Sequence, residues 1–178
     1  MSRRHIKSVH LRGLLSPVKT WSPARGAPGA IIDYIDLSSI DNELKQITSP
    51  QRISADEAPS RARQLVHTGD ILVSTVRPNL NGVARVPTNL DEATASTGYC
   101  VLRPDPAELW PDYLFEWVRT PVFVAEMVKR ATGASYPAVS DRIILESEIP
   151  LPPLAEQRHI AAILGRSDEL PRLLALMR

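Results

Sequence analysis

The apolar positions along this chain fall in two spacings, and the change between them separates a strand-rich part from a helical part. In the first part, β-branched and aliphatic side chains alternate with polar ones or form short blocks, a pattern typical of strands. The four clearest strand-like blocks are residues 31–37, 70–76, 82–86 and 97–102. The polar segment 77–81 is therefore predicted to be the loop of a hairpin-like connection.

Beyond Trp110 the apolar residues are three and four positions apart, which predicts helices. Pro111 suits the first turn of one helix, and Pro121 ends it. A second helix is predicted over residues 122–130, with Gly133 as its left-handed cap.

Two further apolar blocks, residues 143–145 and 149–151, are predicted to be extended. The chain thus passes from strands to helices and back to extended segments. This order indicates an α+β fold with a mixed or antiparallel sheet, rather than a regular βαβ arrangement.

The last part of the chain is predicted to begin a helix at two prolines, Pro152 and Pro153, because proline fits the first turn and stops the extended segment before it. Glu156 and Gln157 suit the positive end of that helix. Apolar and small residues then follow at spacings that would form a helix–helix seam: Ile160, Ile163, Ser167, Leu170, Leu174 and Met177.

Gly165 and Pro171 interrupt this seam, since a proline inside a helix costs about 3 kcal/mol. We therefore expect the helix to end near Asp168, with a turn or short helix beyond. Two arrangements stay open for it: pairing with another helix, or packing back on its own domain.

Four segments of the sequence carry a family resemblance. The strongest is Ile149-Pro-Leu-Pro-Pro-Leu-Ala-Glu-Gln-Arg-His-Ile-Ala-Ala-Ile-Leu164, followed by Gly69-Asp-Ile-Leu-Val-Ser-Thr-Val-Arg-Pro-Asn-Leu80. Thr20-Trp-Ser-Pro23 and Tyr34-Ile-Asp-Leu-Ser-Ser-Ile-Asp41 precede them. In this order the segments resemble the target recognition domain, and the junction to its conserved helix, of type I restriction-modification specificity subunits. The resemblance spans residues 20–164.

The resemblance implies an α+β target recognition domain over residues 1–152 and a conserved helix over residues 153–178. It implies sequence-specific recognition of double-stranded DNA on behalf of a methyltransferase (modification) subunit and, through it, a restriction subunit. A homodimer through the C-terminal helix is possible, because only one recognition domain is present. Whether this half-length form is natural, a truncated gene or a trimmed fragment stays open.

The resemblance also assigns the cofactors elsewhere. S-adenosylmethionine and ATP would belong to the partner subunits, and we expect no cofactor in this chain. The conserved helix of the resembled family docks the methyltransferase subunit, which gives five candidate partner-binding residues: Glu156, Arg158, Ile160, Ile163 and Leu164.

Composition limits the class of protein that this chain can be. A chain of 178 residues with 43% hydrophobic residues can bury one ordinary core. Its single Cys100 excludes an internal disulfide, and its apolar neighbours favour a buried core residue over a reactive thiol. No apolar run approaches the ~20 residues of a membrane span and no signal-type segment follows Met1, so we expect a cytoplasmic protein without membrane contact.

Residues that could support catalysis are few. The sequence contains no glycine-rich phosphate loop, and its four histidines lack metal-ligand spacing. Asp36, Glu43 and Lys45 are the residue types of a metal-dependent nuclease, but two carboxylates and a lysine often occur together in polar turns. We therefore predict no catalytic residue and no metal ligand, and keep a nuclease as the most distant alternative.

Charge is distributed unevenly although the net charge is only +1. Six basic residues and no acidic one occur between Arg3 and Arg25, so one face could approach phosphates, although a solvated basic tail would look the same. Arginine, asparagine and serine can read base edges, while lysine and arginine position the DNA backbone. Loops and chain edges that offer such groups give ten candidate DNA-binding residues: Lys19, Arg61, Arg63, Arg77, Asn79, Asn81, Lys129, Arg130, Ser135 and Tyr136.

A second class of function also fits the sequence. A non-catalytic adaptor could keep the same fold and act only through protein contacts of its C-terminal helix. DNA affinity with a steep dependence on salt would distinguish a DNA-recognition domain from such an adaptor.

Overall fold

The computed structural model describes the backbone of residues 6–176 and the side chains of residues 6–166; Arg3, Arg4 and Met177 lie outside the described residues. The strands are β1 (Ser8–His10), β2 (Ile31–Ile35), β3 (Ile40–Asp41), β4 (Gln46–Ile47), β5 (Gln51–Ser54), β6 (Ala62–Leu65), β7 (Ile71–Ser74), β8 (Val83–Arg85), β9 (Thr94–Ser96), β10 (Tyr99–Leu102) and β11 (Glu148–Pro150). The helices are α1 (Pro23–Gly26), α2 (Pro111–Trp117), α3 (Pro121–Arg130), α4 (Asp141–Leu145) and α5 (Leu154–Leu176).

Two sheets form the body of the domain. A four-stranded sheet has the order β5-β2-β9-β6, in which β2 and β9 are parallel and the outer pairs are antiparallel. A three-stranded sheet has the antiparallel order β10-β7-β8. Two short antiparallel pairs, β1–β11 and β3–β4, complete the strand pairing of the described residues. This architecture confirms the predicted α+β fold with mixed and antiparallel sheets.

The three-stranded sheet separates two apolar cores, because successive side chains of a strand point to opposite faces. Ile71 and Val73 of β7 pack with the helices in the larger core, whereas Leu72 packs in the smaller core. Cys100 lies in the larger core with 2% of its surface exposed, which confirms its predicted burial.

A buried ion pair fixes the start of β7. Asp70 is 2% exposed, and its carboxylate accepts hydrogen bonds from Nε and a terminal nitrogen of Arg103 at 2.8 and 2.7 Å. The backbone N–H of His67 donates to the same carboxylate at 2.8 Å. Gly69 before it has a φ of +89°, a conformation that side chains with a Cβ rarely adopt. Together these contacts explain the Gly-Asp pair at the head of this strand.

Helix α5 is anchored to the domain by a buried glutamine. Gln157 is 1% exposed; its side-chain oxygen accepts the Trp110 N–H at 2.8 Å, and its amide donates to the carbonyls of Glu108 at 3.1 Å and Pro152 at 2.9 Å. Ala161, one turn further along, is buried in the larger core. The first turns of α5 therefore pack on their own domain, against the segment that leads into α2.

Three local predictions were wrong. Residues 143–145 belong to α4, because the Ser140 hydroxyl accepts the Ile143 N–H at the helix start and Asp141 occupies the first turn. Gly133 does not cap α3, which ends at Arg130 with Ala131 extended. The final helix does not end near Asp168.

Helix α5 instead continues through Pro171 to Leu176. A proline removes one N–H and strains the turn before it, and a helix can absorb this cost by bending. Within the described residues, no helix combines the length and apolar character that crossing a bilayer requires.

Candidate nucleic-acid interface

The two loops singled out in the sequence form one structural unit, which we call the loop pair (residues 75–81 and 132–139). The Val139 N–H donates to the Thr75 carbonyl at 2.9 Å, and the Arg77 N–H donates to the Pro137 carbonyl at 2.7 Å. Thr132 and Ala138 exchange two backbone hydrogen bonds of 2.9 Å each, which closes the second loop at its base. The loop pair thus extends the end of β7 with a short ladder.

Arg77 and Tyr136 meet at the exposed tip of the loop pair. The guanidinium carbon of Arg77 lies 4.7 Å from the centroid of the Tyr136 ring, within cation–π range. Tyr136 is 68% exposed, although aromatic side chains are usually more buried. Arg77 also has a φ of +49°, a left-handed conformation that is unfavourable for a residue with a Cβ. The surrounding hydrogen bonds hold a strained backbone that directs the guanidinium outward.

The other polar residues of the loop pair differ in whether their side chains are free to contact a ligand. Asn79 and Ser135 are exposed. Asn81 is more engaged, because its side-chain amide donates to the Val118 carbonyl at 3.0 Å and its own carbonyl accepts from Lys45 Nζ at 2.6 Å. Asn81 therefore supports the loop, while Asn79 presents its amide to solvent.

Lys129 and Arg130 lie in the last turn of α3, directly before the second loop, where cations suit the negative helix end. Both are exposed, and Arg130 forms an ion pair of 2.9 Å with Glu126 one turn earlier. The backbone pairing of Thr132 with Ala138 connects this basic turn to the loop pair.

The remaining basic candidates lie along β6, at one edge of the four-stranded sheet. The Leu65 N–H donates to the Lys19 carbonyl at 3.0 Å, and the Trp21 N–H donates to the Arg63 carbonyl at 2.8 Å. Arg63 Nε donates to the Ser60 carbonyl at 2.8 Å, whereas Arg61 is exposed.

Among the described residues, the end of β6 at Arg61 is linked to the loop pair by backbone hydrogen bonds, whereas the end at Leu65 is not. The Arg61 carbonyl accepts the Thr97 N–H at 2.9 Å. The carbonyl of Gly98, the residue after Thr97, accepts the Thr75 N–H at 2.9 Å. Arg61 is thus joined to the loop pair through the turn between β9 and β10, while Lys19 lies beside Leu65 at the far end of β6.

A cleft of about 280 Å³ lies beside the loop pair and adds polar residues that the sequence analysis missed. Ser38 and Asn42 line it together with Arg77 and Tyr136, and both are exposed. The hydroxyl of buried Tyr99 donates to the Asp36 carbonyl at 2.6 Å and holds this side of the cleft. The signal in the sequence is the run of turn formers that follows β2, which includes Ser38, Ser39, Asp41 and Asn42.

The nuclease-like residues do not form a metal site. Lys45 directs its ammonium to the Asn81 carbonyl, and burial, with the nearby Arg119 charge, lowers the Lys45 pKa. The Asp36 side chain instead accepts the Tyr34 hydroxyl at 3.2 Å. Within residues 6–166, no three His, Cys, Asp or Glu side chains come together as a metal would require.

The predicted partner-binding residues divide between the two sides of α5. Ile160 packs against the larger core, while Ile163 and Leu164 are 55% and 41% exposed. Glu156 is exposed, and the Arg158 guanidinium lies over the Trp110 ring, 4.5 Å from its centroid. The first turns of this helix therefore pack on their own domain, which is one of the two arrangements foreseen for it, while pairing with another helix stays a prediction.

An α+β domain with an exposed arginine–tyrosine pair on its loops and a basic strand edge, followed by a long C-terminal helix, has the features of a DNA-recognition domain. The type I restriction modification DNA specificity domain family matches residues 32–174, and the chain belongs to this family.

Two solved structures show the same fold. The HsdS subunit from Thermoanaerobacter tengcongensis is 37% identical with a TM-score of 0.82, and the match covers 95% of this chain and 44% of that one. A chain from a structure on complex assembly and conformational transition of the type I R-M system is 36% identical with a TM-score of 0.84, covering 96% and 45%. This chain therefore spans less than half the length of these relatives. No curated protein matches it.

Proposed function

We propose that this chain recognises a specific sequence in double-stranded DNA for a type I restriction-modification system and catalyses no reaction itself. The observation that carries the proposal is the loop pair, which presents Arg77 and Tyr136 on a strained, hydrogen-bonded scaffold in a chain of the specificity-domain family. Rigid presentation favours recognition, because less side-chain freedom is lost on binding.

Different parts of the surface have different roles in this proposal. Arg77, Asn79 and Ser135, at the tip of the loop pair, are the candidates for base contacts, since their groups can hydrogen-bond base edges in the major groove. The ring of Tyr136 is proposed to hold the Arg77 guanidinium in place for this contact. Asn81 supports the loop from inside. Contacts to backbone phosphates, which position the DNA without reading it, are proposed for the basic residues Lys19, Arg61, Arg63, Lys129 and Arg130.

The C-terminal helix is proposed to assemble the complex. We assign residues 1–152 to DNA recognition and residues 153–178 to partner contacts, with Glu156, Arg158, Ile163 and Leu164 on the surface of α5 and Ile160 partly buried against the larger core. The partner is a methyltransferase subunit, which in turn recruits the restriction subunit.

A homodimer through α5 is also proposed, because Ile163 and Leu164 on the surface of this helix are 55% and 41% exposed and could pack against a second copy. Two copies would then recognise two half-sites, and the complete target would be symmetric. The chain would act in the cytoplasm, where the complex meets the DNA.

The test is co-expression of the chain with the methyltransferase subunit of the same system, followed by mapping of methylated positions in genomic DNA. We expect a defined, symmetric motif whose methylation disappears when the chain is omitted or when Arg77→Ala replaces it. A stable complex that methylates no motif would contradict DNA recognition and would support an adaptor that acts through α5 alone.

A further inference from the structure

A second cavity of the described domain lies between α2, the start of α5 and the β4–β8 side of the sheet. It is an open groove of about 730 Å³. Five cationic side chains line it, against two carboxylates, Asp112 and Glu116. The cationic residues of this groove, which we call the basic groove, are Lys45, Arg85, Arg119, Arg158 and Arg166.

Neighbouring aromatic rings hold three of these cations in place. The guanidinium carbons of Arg85 and Arg119 lie 5.0 and 4.9 Å from the Phe115 ring centroid. Arg158 lies 4.5 Å from the centroid of Trp110. Stacked guanidinium groups keep their planar donors fixed and directed sideways, which suits the oxygens of a phosphate. The groove is thus organised before any ligand arrives.

The two carboxylates of the groove are already engaged. Asp112 pairs with Arg85, and Glu116 accepts from Arg119 at 3.1 Å. The charge of the lining therefore remains positive after these pairs are counted. Lys45 is crowded by Arg119, whose charge together with burial lowers the Lys45 pKa. An anion in the groove would relieve this like-charge repulsion.

One turn, between β3 and β4, connects the basic groove to the loop pair. Lys45 lies in the turn between β3 and β4 and donates to the carbonyl of Asn81, a residue of the loop pair. Asn42 of this turn lines the cleft beside Arg77, whereas Lys45, at the end of the turn, and Gln46, the first residue of β4, line the basic groove. A polyanion bound at the loop pair can therefore pass over this turn into the groove.

We infer that the basic groove binds backbone phosphates of the DNA outside the bases read by the loop pair. This inference rests on the proposed function, adds to it a second DNA contact site beside α5, and assigns Arg158 to that site rather than to the methyltransferase contact. Phosphate contacts carry no sequence information, so the groove would fix the position and orientation of the domain on the duplex. An acidic segment of a protein partner is the competing occupant, but DNA is favoured by the link between Lys45 and the loop pair.

The test replaces the two groove cations on α5 by neutral residues, as Arg158→Gln with Arg166→Gln, in the chain assembled with its methyltransferase subunit. Binding to a target duplex and to a scrambled duplex is measured by fluorescence anisotropy at several salt concentrations. We expect the affinity for both duplexes to fall roughly 10- to 30-fold and the slope of log K against log salt to decrease by about 2.

Two sets of controls accompany this variant. Arg158→Lys with Arg166→Lys keeps the charges and should keep the salt slope. Arg52→Gln removes an exposed cation from β5, the opposite edge of the four-stranded sheet from Arg61, and should change neither affinity nor slope.

Three results would overturn the inference, and each differs from failure of the proposed function. An unchanged salt slope in the double glutamine variant, while Arg77→Ala weakens binding, would remove the groove from the DNA contact. If the double glutamine variant forms less complex with the methyltransferase subunit, and the complex that does form binds DNA with normal affinity, the groove belongs to a protein partner. Absence of DNA binding by the unmodified complex would refute the proposed function itself and the inference with it.

Discussion

The side-chain carbonyl of Gln157 accepts the backbone N–H of Trp110 at 2.8 Å, although the two residues are 47 positions apart in the sequence. The amide nitrogen of Gln157 also satisfies the carbonyls of Glu108 and Pro152. This one buried side chain therefore joins α5, the turn that begins it and the segment leading into α2. In the neighbouring pair Glu156-Gln157, Glu156 is therefore exposed to solvent, whereas Gln157 is buried and holds the helix in place.

Replacing Gln157 by methionine should keep the volume but remove all three hydrogen bonds. Buried backbone groups left without partners are costly, so we expect the free energy of unfolding to fall by about 2–4 kcal/mol. Urea titration of both proteins measures the difference. Glu156→Ala, at the exposed neighbouring position, should stay within about 0.5 kcal/mol of the parent. Equal effects of both changes would contradict the anchoring role of Gln157.

The Asp70–Arg103 pair should be equally sensitive to a conservative change. Asp70→Asn keeps the shape but removes the carboxylate that accepts from Arg103 twice and from the His67 N–H. Breaking a buried ion pair costs about 3–5 kcal/mol, and the 24% exposure of the Arg103 side chain reduces this to about 2–4 kcal/mol. Thermal unfolding of Asp70→Asn, with the exposed pair Arg142–Glu146 as a control through Glu146→Gln, checks the difference. A small effect would show that water replaces the lost contacts.

Local patterns were enough to predict most elements of this fold. The strands β2, β7, β8 and β10 and the helices α2 and α3 all lie within the blocks that apolar spacing and prolines marked. The α4 error arose because the apolar triplet Ile143–Leu145 outweighed the N-cap signal of Ser140 and Asp141 just before it.

Long-range pairing could not be predicted in the same way. Nothing in the local sequence indicates that residues 137–139 pair with residues 75–77, because backbone hydrogen bonds carry no residue code. The two loops were therefore predicted separately, and the shared surface of Arg77 and Tyr136 emerged only in three dimensions. The basic groove was missed for the same reason, since its lining comes from four separate parts of the chain.

Cys100 should make stability fall at alkaline pH. Burial raises the pKa of its thiol far above the ordinary value, with a smaller contribution from Asp141. The unfolded chain loses this proton above about pH 8.5, while the native thiol keeps it, so ionisation favours the unfolded state. We expect the parent protein to lose about 2 kcal/mol more than Cys100→Ala between about pH 8.5 and 10. Urea titration at several pH values measures this, and parallel pH profiles would contradict it.

The contact of Arg77 with Tyr136 should matter for DNA affinity through the ring rather than the hydroxyl. Tyr136→Phe keeps the cation–π contact, whereas Tyr136→Leu removes it. An exposed contact of this kind contributes about 0.5–1 kcal/mol, so the leucine variant should bind its target about 2- to 5-fold more weakly, with the phenylalanine variant close to the parent. Duplex binding by anisotropy distinguishes the two. A larger loss with phenylalanine would show that the hydroxyl itself contacts DNA.

Gly133 should be the most sensitive backbone position of the loop pair. Its φ is +100°, and a Cβ there would lie 2.8 Å from the carbonyl oxygen of Tyr136, closer than real Cβ atoms approach. Gly133→Ala must therefore shift the second loop and move Tyr136 away from Arg77. Because this loop is exposed, global stability should change by only about 1–2 kcal/mol, while affinity for the target falls at least as much as in Tyr136→Leu.

Gly29→Ala is the matched control for this prediction. Gly29 also has a positive φ, of +75°, but it lies in the turn before β2, outside the loop pair. Both alanine variants carry the strain of a positive φ, but a Cβ at Gly29 would meet no atom within 4 Å, so Gly29→Ala should shift thermal unfolding no more than Gly133→Ala does. Only Gly133→Ala should weaken DNA binding. Equal DNA affinity of the two variants would show that the position of Tyr136 does not control recognition, and the base contacts would then have to come from the Ser38–Asn42 side of the cleft.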